Sequence, residues 1–431
     1  MKKILLFASL ASLFLVSLAA TARSNPDKFQ TGSQYLAYPV KPGQAPALTP
    51  APDGYEPFHM EHYGRHGSRW LISENAYSEP LRLLQLAHDH GKLTPRGECL
   101  LEEIRIIAKD SEGRLGELTP LGHRQHREIA ERMAQNFPEI FNNDTYLDAK
   151  STQVIRCILS MANEMAEFQK LFPGMKITMD ASATTQDMLN PNNSDTAAYR
   201  IRKANEWRVD DYRKSLPKPE HFYNAIFSDR KFVTDSIGED IILDLLFEVA
   251  SNMQSHDDYP YIYDIFTDEE LVNEWKIRNA SWYVGSGNTS LSENRMPLME
   301  RPLLQNMIES PDSALFSPVI SANLRFGHES MLLPLSALMM LDNAGYDTED
   351  LSSLSDNWRN YEIFPMASNI QMVFYRPKKD LKELKEEDIL VKVLLNEKET
   401  TLPLTPVSGP YYRWTDARQL FKSRISAPSG N

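Results

Sequence analysis

Residues 58–69 read FHMEHYGRHGSR, a strand-like run that ends in a cluster of basic side chains. The pattern predicts a short strand from Phe58 to Tyr63, ending at Gly64, and apolar residues at helical spacing follow the cluster. Residues 318–330 repeat the arrangement, with a strand pattern, the basic segment RFGH and then a helix pattern. Because ligands of α/β sheets lie beyond the carboxyl ends of the strands, we expect both junctions to contribute to one site.

The rest of the chain continues this alternation. Strand patterns occur at 146–152, 176–179, 369–375 and 389–395, with helical patterns between them. Strands that alternate with helices predict an α/β fold, a layered core with a mostly parallel sheet flanked by helices. One long stretch is rich in charged and aromatic residues and lacks buried strands. We therefore predict an inserted, mainly helical cap at 187–276, and an α/β core formed by 23–186 and 277–431.

The amino terminus has the layout of a secretory signal peptide. Lys2 and Lys3 precede an apolar run from Ile4 to Ala20, and small residues at 20–22 offer a cleavage site. The alternative is a membrane anchor, but the run is at the lower limit for a span and no basic flank follows. We predict cleavage of residues 1–22, no membrane anchor, and a periplasmic or secreted protein.

The charge of the mature chain excludes one class of partner. Without Lys2 and Lys3, 44 basic residues face 59 acidic residues, a net charge of −15. Such a surface repels nucleic acid. A negatively charged substrate therefore needs positive charge that is concentrated locally.

The segment Arg65-His66-Gly67-Ser68-Arg69 supplies such a concentration. Two arginines that flank a histidine can hold the oxygens of a phosphate monoester with paired hydrogen bonds. The glycine allows close approach of the backbone to a ligand, and the imidazole can attack phosphorus. The alternative is a solvated basic turn.

The same string resembles the signature of the histidine phosphatase superfamily, in its acid phosphatase and phytase branch. Three further segments resemble that branch in the same order along the chain: LTPLG at 118–122, STQVIRCILS at 151–160 and FGHES at 326–330. The first of them also predicts a helix start, with Thr119 as N-cap and Pro120 at the first helical position.

The resemblance implies a role for each matching residue. His66 would be the nucleophile and Glu329 the general acid, while Arg65, Arg69, Arg156 and His328 would bind the transferring phosphate. No metal and no other cofactor is expected, because arginines neutralise the phosphate.

The implied activity is that of a histidine acid phosphatase with a small-molecule phosphate ester as its partner. Inositol polyphosphates such as phytate, or other organic phosphates, are the expected substrates, at acidic to neutral pH. The alternative is a non-catalytic protein that binds a phosphate ligand on the same fold.

Three departures from the pattern concern the site. Trp70 stands close to where many relatives have a proline, and Lys150-Ser151 stands where some relatives have an arginine before the serine. The tripeptide at 328–330 is His-Glu-Ser, neither His-Asp nor His-Ala-Glu. The reach of Glu329 toward a leaving oxygen is therefore the open point.

Several other features have simpler interpretations. His59, His62 and His66 have a spacing that suggests zinc, but strand geometry would keep His59 and His62 from converging. The segment 200–218 has a net charge of +4, from seven basic and three acidic residues, and either embraces a polyanion or forms a solvated helix with ion pairs. Cys99 and Cys157 are predicted to be buried free thiols, with a disulfide as the alternative.

Overall fold

The computed structural model describes residues 23–41, 44, 46–190, 196–259, 262–316 and 321–427. The predicted signal peptide at 1–22 lies outside these residues. No helix in the described ranges is both long and apolar enough to cross a lipid bilayer.

The described strands form one mixed sheet. Their bounds are β1 Tyr55–Arg65, β2 Tyr146–Ser151, β3 Lys176–Asp180, β4 Ala322–Gly327, β5 Asn369–Pro377, β6 Leu390–Leu395, β7 Lys398–Glu399 and β8 Tyr412–Arg413. The spatial order is β3-β2-β4-β1-β5-β6-β7, and β8 pairs with β6. The strands β3, β2, β4 and β1 run parallel, whereas β5 to β8 form antiparallel pairs.

The described α-helices cover both faces of the sheet and extend beyond one edge. Their bounds are α1 Asn75–Asp89, α2 Pro95–Ser111, α3 Pro120–Asn136, α4 Ile155–Leu171, α5 Gln186–Leu189, α6 Thr196–Ser215, α7 Glu220–Ile226, α8 Arg230–Phe232, α9 Glu239–Asn252, α10 Asp268–Ser286, α11 Arg301–Phe316, α12 Glu329–Leu338, α13 Leu354–Asn357, α14 Asn360–Ile363 and α15 Trp414–Ile425. The predicted α/β core with helices on a mostly parallel sheet is confirmed.

Alternate residues of β5 show how the two faces are covered. Met372 and Phe374 lie in the apolar cluster formed with α11, α12 and α15. Val373 and Tyr375 lie in the cluster formed with α3 and α4 on the opposite face. This period of two is what a strand between two helical layers requires.

A third apolar cluster lies away from the sheet. It joins α1 and α2 to α7, α9 and the start of α10. Of the cap helices, α7, α9 and the start of α10 therefore share a core with α1 and α2, which precede the cap in sequence, whereas α6 packs against the cluster that contains Met372 and Phe374. The boundaries at 187 and 276 stay a prediction.

The parallel strands end together at one edge of the sheet. In the register of β1 with β4, Arg65 lies opposite Gly327, and in that of β2 with β4, Ser151 lies opposite Phe326. The segments after these residues begin at one place, where the candidate site lies.

Candidate active site

The backbone after β1 is held from two sides. The amide of Arg65 donates to the carbonyl of Ser368 at 2.8 Å, and that of His66 donates to Gly327 at 3.0 Å. The carbonyl of His66 accepts from the amide of Ala367 at 3.0 Å. These bonds fix the position of the histidine without using its ring.

Gly67 packs against Gly122 in the first turn of α3. A Cβ on Gly67 would lie 2.5 Å from the carbonyl oxygen of Gly122, and a Cβ on Gly122 would lie 2.1 Å from that of Ser68. Thr119 is the N-cap of α3, and its hydroxyl accepts from the amide of Gly122, as predicted. The second motif thus supports the first, because only glycine permits this close contact.

Two buried side chains complete the support of this loop. The Ser160 hydroxyl accepts from the amide of Gly67 at 3.1 Å. The Gln125 side chain accepts from the amide of Ser68 at 2.8 Å and donates to its hydroxyl at 3.0 Å. A loop whose amides are paired in this way is preorganised for a ligand.

The His66 ring has one defined tautomer. Its Nδ1 lies 2.9 Å from the carbonyl oxygen of Gly67, which can only accept, so Nδ1 carries the hydrogen. Nε2 is then unprotonated and has a free lone pair. It lies 3.3 Å from Oε2 of Glu329. Burial, with help from the nearby arginines, holds the pKa of His66 well below its usual value, so the imidazole is neutral.

Two arginines of the loop enclose the Glu329 carboxylate. Arg65 Nε donates to Glu329 Oε2 at 3.0 Å, and Arg69 Nη2 lies 3.9 Å from Oε1. Arg65 Nη1 also donates to the carbonyl oxygens of Gln34 and Phe364. Burial lowers the pKa of Arg65 to about 10, which leaves it charged at neutral pH.

The third arginine lies beside the second histidine. Arg156, in the first turn of α4, points Nη2 at His328 Nδ1 over 3.4 Å. A guanidinium only donates, so His328 Nδ1 accepts and Nε2 carries the hydrogen toward the Thr152 hydroxyl at 3.3 Å. Burial lowers the pKa of His328 to about 4, in keeping with a neutral ring.

Glu329 is the first residue of α12 and follows the N-cap His328. Burial raises the pKa of this carboxyl, but the charges of Arg65 and Arg69 outweigh burial and hold the pKa well below its usual value. The carboxyl is therefore ionised in this state, which differs from the protonated acid that the resemblance implies. The Glu329 carboxylate lies between the arginines, where a bound anion would also lie.

All six predicted site residues meet in one place. The His66 and His328 rings have centroids 5.8 Å apart, and the ion pairs above connect the other four. Some supporting residues were missed, including Thr152 and Gln125. The hydroxyl of Tyr63 accepts from the amide of His328 at 3.2 Å and lies 2.1 Å from where a Cβ on Gly327 would be. The glycine that precedes His328 was the sequence signal for that contact.

The remaining histidines and basic residues that the sequence analysis considered have structural roles outside the site. His59 pairs with Glu61, and the buried His62 ring packs on Phe326. Lys150 pairs with Asp148, so its charge is compensated. The segment 200–218 forms ion pairs within the described structure, namely Lys203–Glu206, Lys214–Asp211, Arg213–Asp244 and Lys218–Glu239. The interpretation as a solvated, ion-paired helix is thus favoured. Cys99 and Cys157 are free thiols, but the predicted burial is wrong for Cys99, which is exposed, whereas Cys157 is buried.

One triad could hold a cation by distance alone. Among the described residues, His66, His328 and Glu329 form a group whose ligand atoms lie within 4.8 Å of one another. Arg65, Arg69 and Arg156 surround the same point, and three positive charges oppose a metal ion there. The arrangement suits an oxyanion with a nucleophilic nitrogen beside it.

The chain matches known proteins over most of its length. The model of the histidine phosphatase superfamily, branch 2, matches residues 64–396. Multiple inositol polyphosphate phosphatase 1 of Gallus gallus is 26% identical over 84% of this chain and 80% of its own.

Solved structures show the same fold. The apo form of multiple inositol polyphosphate phosphatase from Bifidobacterium longum superposes with a TM-score of 0.73, at 18% identity, over 92% of this chain and 98% of that chain. The same protein is known in complex with inositol hexasulfate, with a TM-score of 0.70 at the same identity and coverage. A phytase from D. castellii superposes with a TM-score of 0.70, at 14% identity, over 93% of this chain and 85% of its own. The chain belongs to the histidine phosphatase superfamily, branch 2, and is a histidine acid phosphatase.

Proposed function

We propose that the protein hydrolyses phosphate monoesters through a phosphohistidine formed on His66. One observation carries the proposal. Within the described part of the chain, Nη2 of Arg65, Nε of Arg69, Nε of Arg156 and Nε2 of His66 are buried and have no hydrogen-bond partner. Unpaired buried donors are expensive, and a bound phosphate would satisfy the three guanidinium groups at the point that the nucleophile faces.

In the first step, Nε2 of His66 attacks phosphorus. The P–N bond forms as the P–O bond to the alcohol breaks, and the leaving oxygen takes the proton of Glu329. The imidazole gains positive charge, which the Gly67 carbonyl stabilises by accepting from Nδ1–H. Arg65, Arg69 and Arg156 bind the non-bridging oxygens, with His328 as a further donor once Arg156 turns to the phosphate and the ring hydrogen moves from Nε2 to Nδ1.

In the second step, water hydrolyses the phosphohistidine. The Glu329 carboxylate accepts a proton from the attacking water, the new P–O bond forms, and the P–N bond breaks. Inorganic phosphate leaves and His66 is neutral again. Every proton given up in the first step is recovered in the second.

The ionised state of Glu329 agrees with this cycle. An incoming phosphate takes over Arg65 and Arg69, so the carboxyl loses the charges that lower its pKa and gains a negative neighbour. Both changes raise the pKa, as an adjacent anion does in carboxylate pairs. A substrate that arrives as the monoanion supplies the proton, which favours activity at acidic to neutral pH.

Inositol polyphosphates such as phytate are the proposed substrate class, with other organic phosphate esters beside them. The relatives named above are inositol polyphosphate phosphatases and a phytase, and one was solved with inositol hexasulfate. We also propose that the protein acts in the periplasm or outside the cell, on the evidence of the amino-terminal pattern. Amino-terminal sequencing of the mature protein should begin after Ala22.

A substrate panel tests the activity. Phytate, sugar phosphates and nucleotides are incubated with the protein at several pH values in EDTA, and phosphate release is measured. We expect release that is fastest below neutral pH. A protein that binds phytate in calorimetry but releases nothing from any ester would instead be the non-catalytic binding protein.

A further inference from the structure

The candidate site opens to solvent on one side. Arg65 and His66 are fully buried and Arg69 is only 3% exposed. The Glu329 side chain is 16% exposed, and Arg156 is partly exposed. If His66 attacks in line, the alcohol lies on the far side of phosphorus from Nε2. The alcohol must therefore leave the phosphate site past Glu329 and Arg156.

Ile72 lies beside this opening. The segment from Arg69 to Ile72 runs next to residues 115–118, with hydrogen bonds from Trp70 to Glu117 and from Gly116 to Leu71. A Cβ built on Gly116 would lie 3.4 Å from Cγ2 of Ile72 and 3.5 Å from Nη1 of Arg156. The two side chains thus approach the same point.

A second exposed isoleucine directly precedes Arg156 in the chain. Ile155 is the first residue of α4 and is 68% exposed, while Ile72 is 59% exposed. Leu159, which is 36% exposed, lies one turn further along the same helix, at a spacing that brings it next to Ile155. Ile72 and Ile155 are thus exposed apolar residues that lie next to Arg156, one in space and one along the chain, and exposed apolar surface beside a polar site can contact a ligand.

We propose that Ile72 and Ile155 form an apolar wall that contacts the leaving alcohol and sets substrate preference. The occupant is an alcohol with an apolar face next to the ester oxygen, such as an aryl ring or the C–H face of a cyclitol. Contact with such a face removes apolar surface from water, whereas a hydrated or charged group gains nothing there. The inference rests on the proposed function, because it assumes that a phosphate ester binds with its phosphorus at His66.

The test compares two esters that differ in the alcohol. The ratio of kcat/KM for 1-naphthyl phosphate to that for glycerol 2-phosphate is measured in the wild type and in Ile72→Thr, which keeps β-branching but loses apolar surface. We expect the ratio to fall about fivefold, within the range that small changes in apolar contact produce. Ile155→Thr, an independent change at the start of α4, should shift the ratio in the same direction.

Ile106→Thr is the matched control, because Ile106 is 57% exposed and lies on α2. The ratio should stay at the wild-type value in this variant. Equal losses for both esters in Ile72→Thr, or the same fall in Ile106→Thr, would overturn the wall while leaving phosphatase activity in place. A wild type that hydrolyses neither ester would overturn the proposed function, and the wall with it.

Discussion

Replacing Glu329 by glutamine should have two opposite effects, and both follow from where its carboxylate lies. The amide keeps the size of the side chain but removes the charge that Arg65 contacts at 3.0 Å and Arg69 at 3.9 Å. Unit charges about 4 Å apart near a protein surface interact by about 4 kcal/mol, which sets an upper bound on the competition that a phosphate ion meets. Inorganic phosphate should therefore bind Glu329→Gln more tightly than it binds the wild type, by about tenfold and by no more than about 1000-fold.

The second effect is loss of the proton donor. Loss of a general acid lowers rates by about 10²- to 10⁴-fold when the leaving group is a poor one. An alkyl phosphate should therefore lose far more activity than p-nitrophenyl phosphate, whose phenolate leaves without help. One variant should thus bind product more tightly while turning over alkyl esters more slowly.

The assay measures the inhibition constant of phosphate and kcat for both esters, with direct calorimetric titration of phosphate as a check. Glu98→Gln is the control, because Glu98 also lies in the first turn of a helix, α2, but pairs with the exposed His88. Phosphate binding to Glu329→Gln that is no tighter than binding to the wild type would contradict the competition between this carboxylate and phosphate. Equal losses of activity for the two esters would argue against its role as the proton donor.

Substitution of Gly122, substitution of His62 and removal of metal ions test three other parts of the structure. Gly122→Ala should reduce kcat/KM at least about 100-fold, because its Cβ would lie 2.1 Å from the Ser68 carbonyl oxygen, whereas Gly285→Ala meets only the flexible Arg202 side chain and should not. His62 has its pKa lowered to about 3, chiefly by burial, so its contribution to stability is present above pH 6.5 and is lost as the pH falls toward 3. Between pH 6.5 and 4, the free energy of unfolding of His62→Phe, measured in urea, should therefore change by about 1.4 kcal/mol per pH unit less than that of the wild type. An unchanged slope would contradict this. Activity should persist in EDTA, and its loss with restoration by a divalent cation would contradict the charge neutralisation assigned to the arginines.

The strands of the core could be predicted because they are buried and regular. The prediction for β2 ended at 152 and that for β6 began at 389, against observed bounds of Tyr146–Ser151 and Leu390–Leu395. Two-residue strands such as β7 and β8 carry no periodicity and were missed. The helix pattern after His328 continues through Leu341 in the sequence, but α12 ends at Leu338.

Some features of the site could likewise be predicted from the sequence, and others could not. The two strand-to-helix junctions pointed to His66 and His328, because chemistry-bearing residues follow the strands directly. The contacts of Gln125 with the loop depend on how α3 packs, which no local pattern reveals. The ionised state of Glu329 depends on arginines from a segment more than 250 residues away, so only the assembled site could show it.

The central claim is that His66 becomes phosphorylated. Acid lability of a phosphorylated histidine requires a rapid quench, denaturation and analysis under alkaline conditions after mixing with a ³²P-labelled monoester. We predict ³²P label on His66 in the wild type, more label at steady state when water attack is slowed, and no label in His66→Ala. A wild type that hydrolyses the ester at full rate while no label is trapped on His66 at any time would contradict the covalent route.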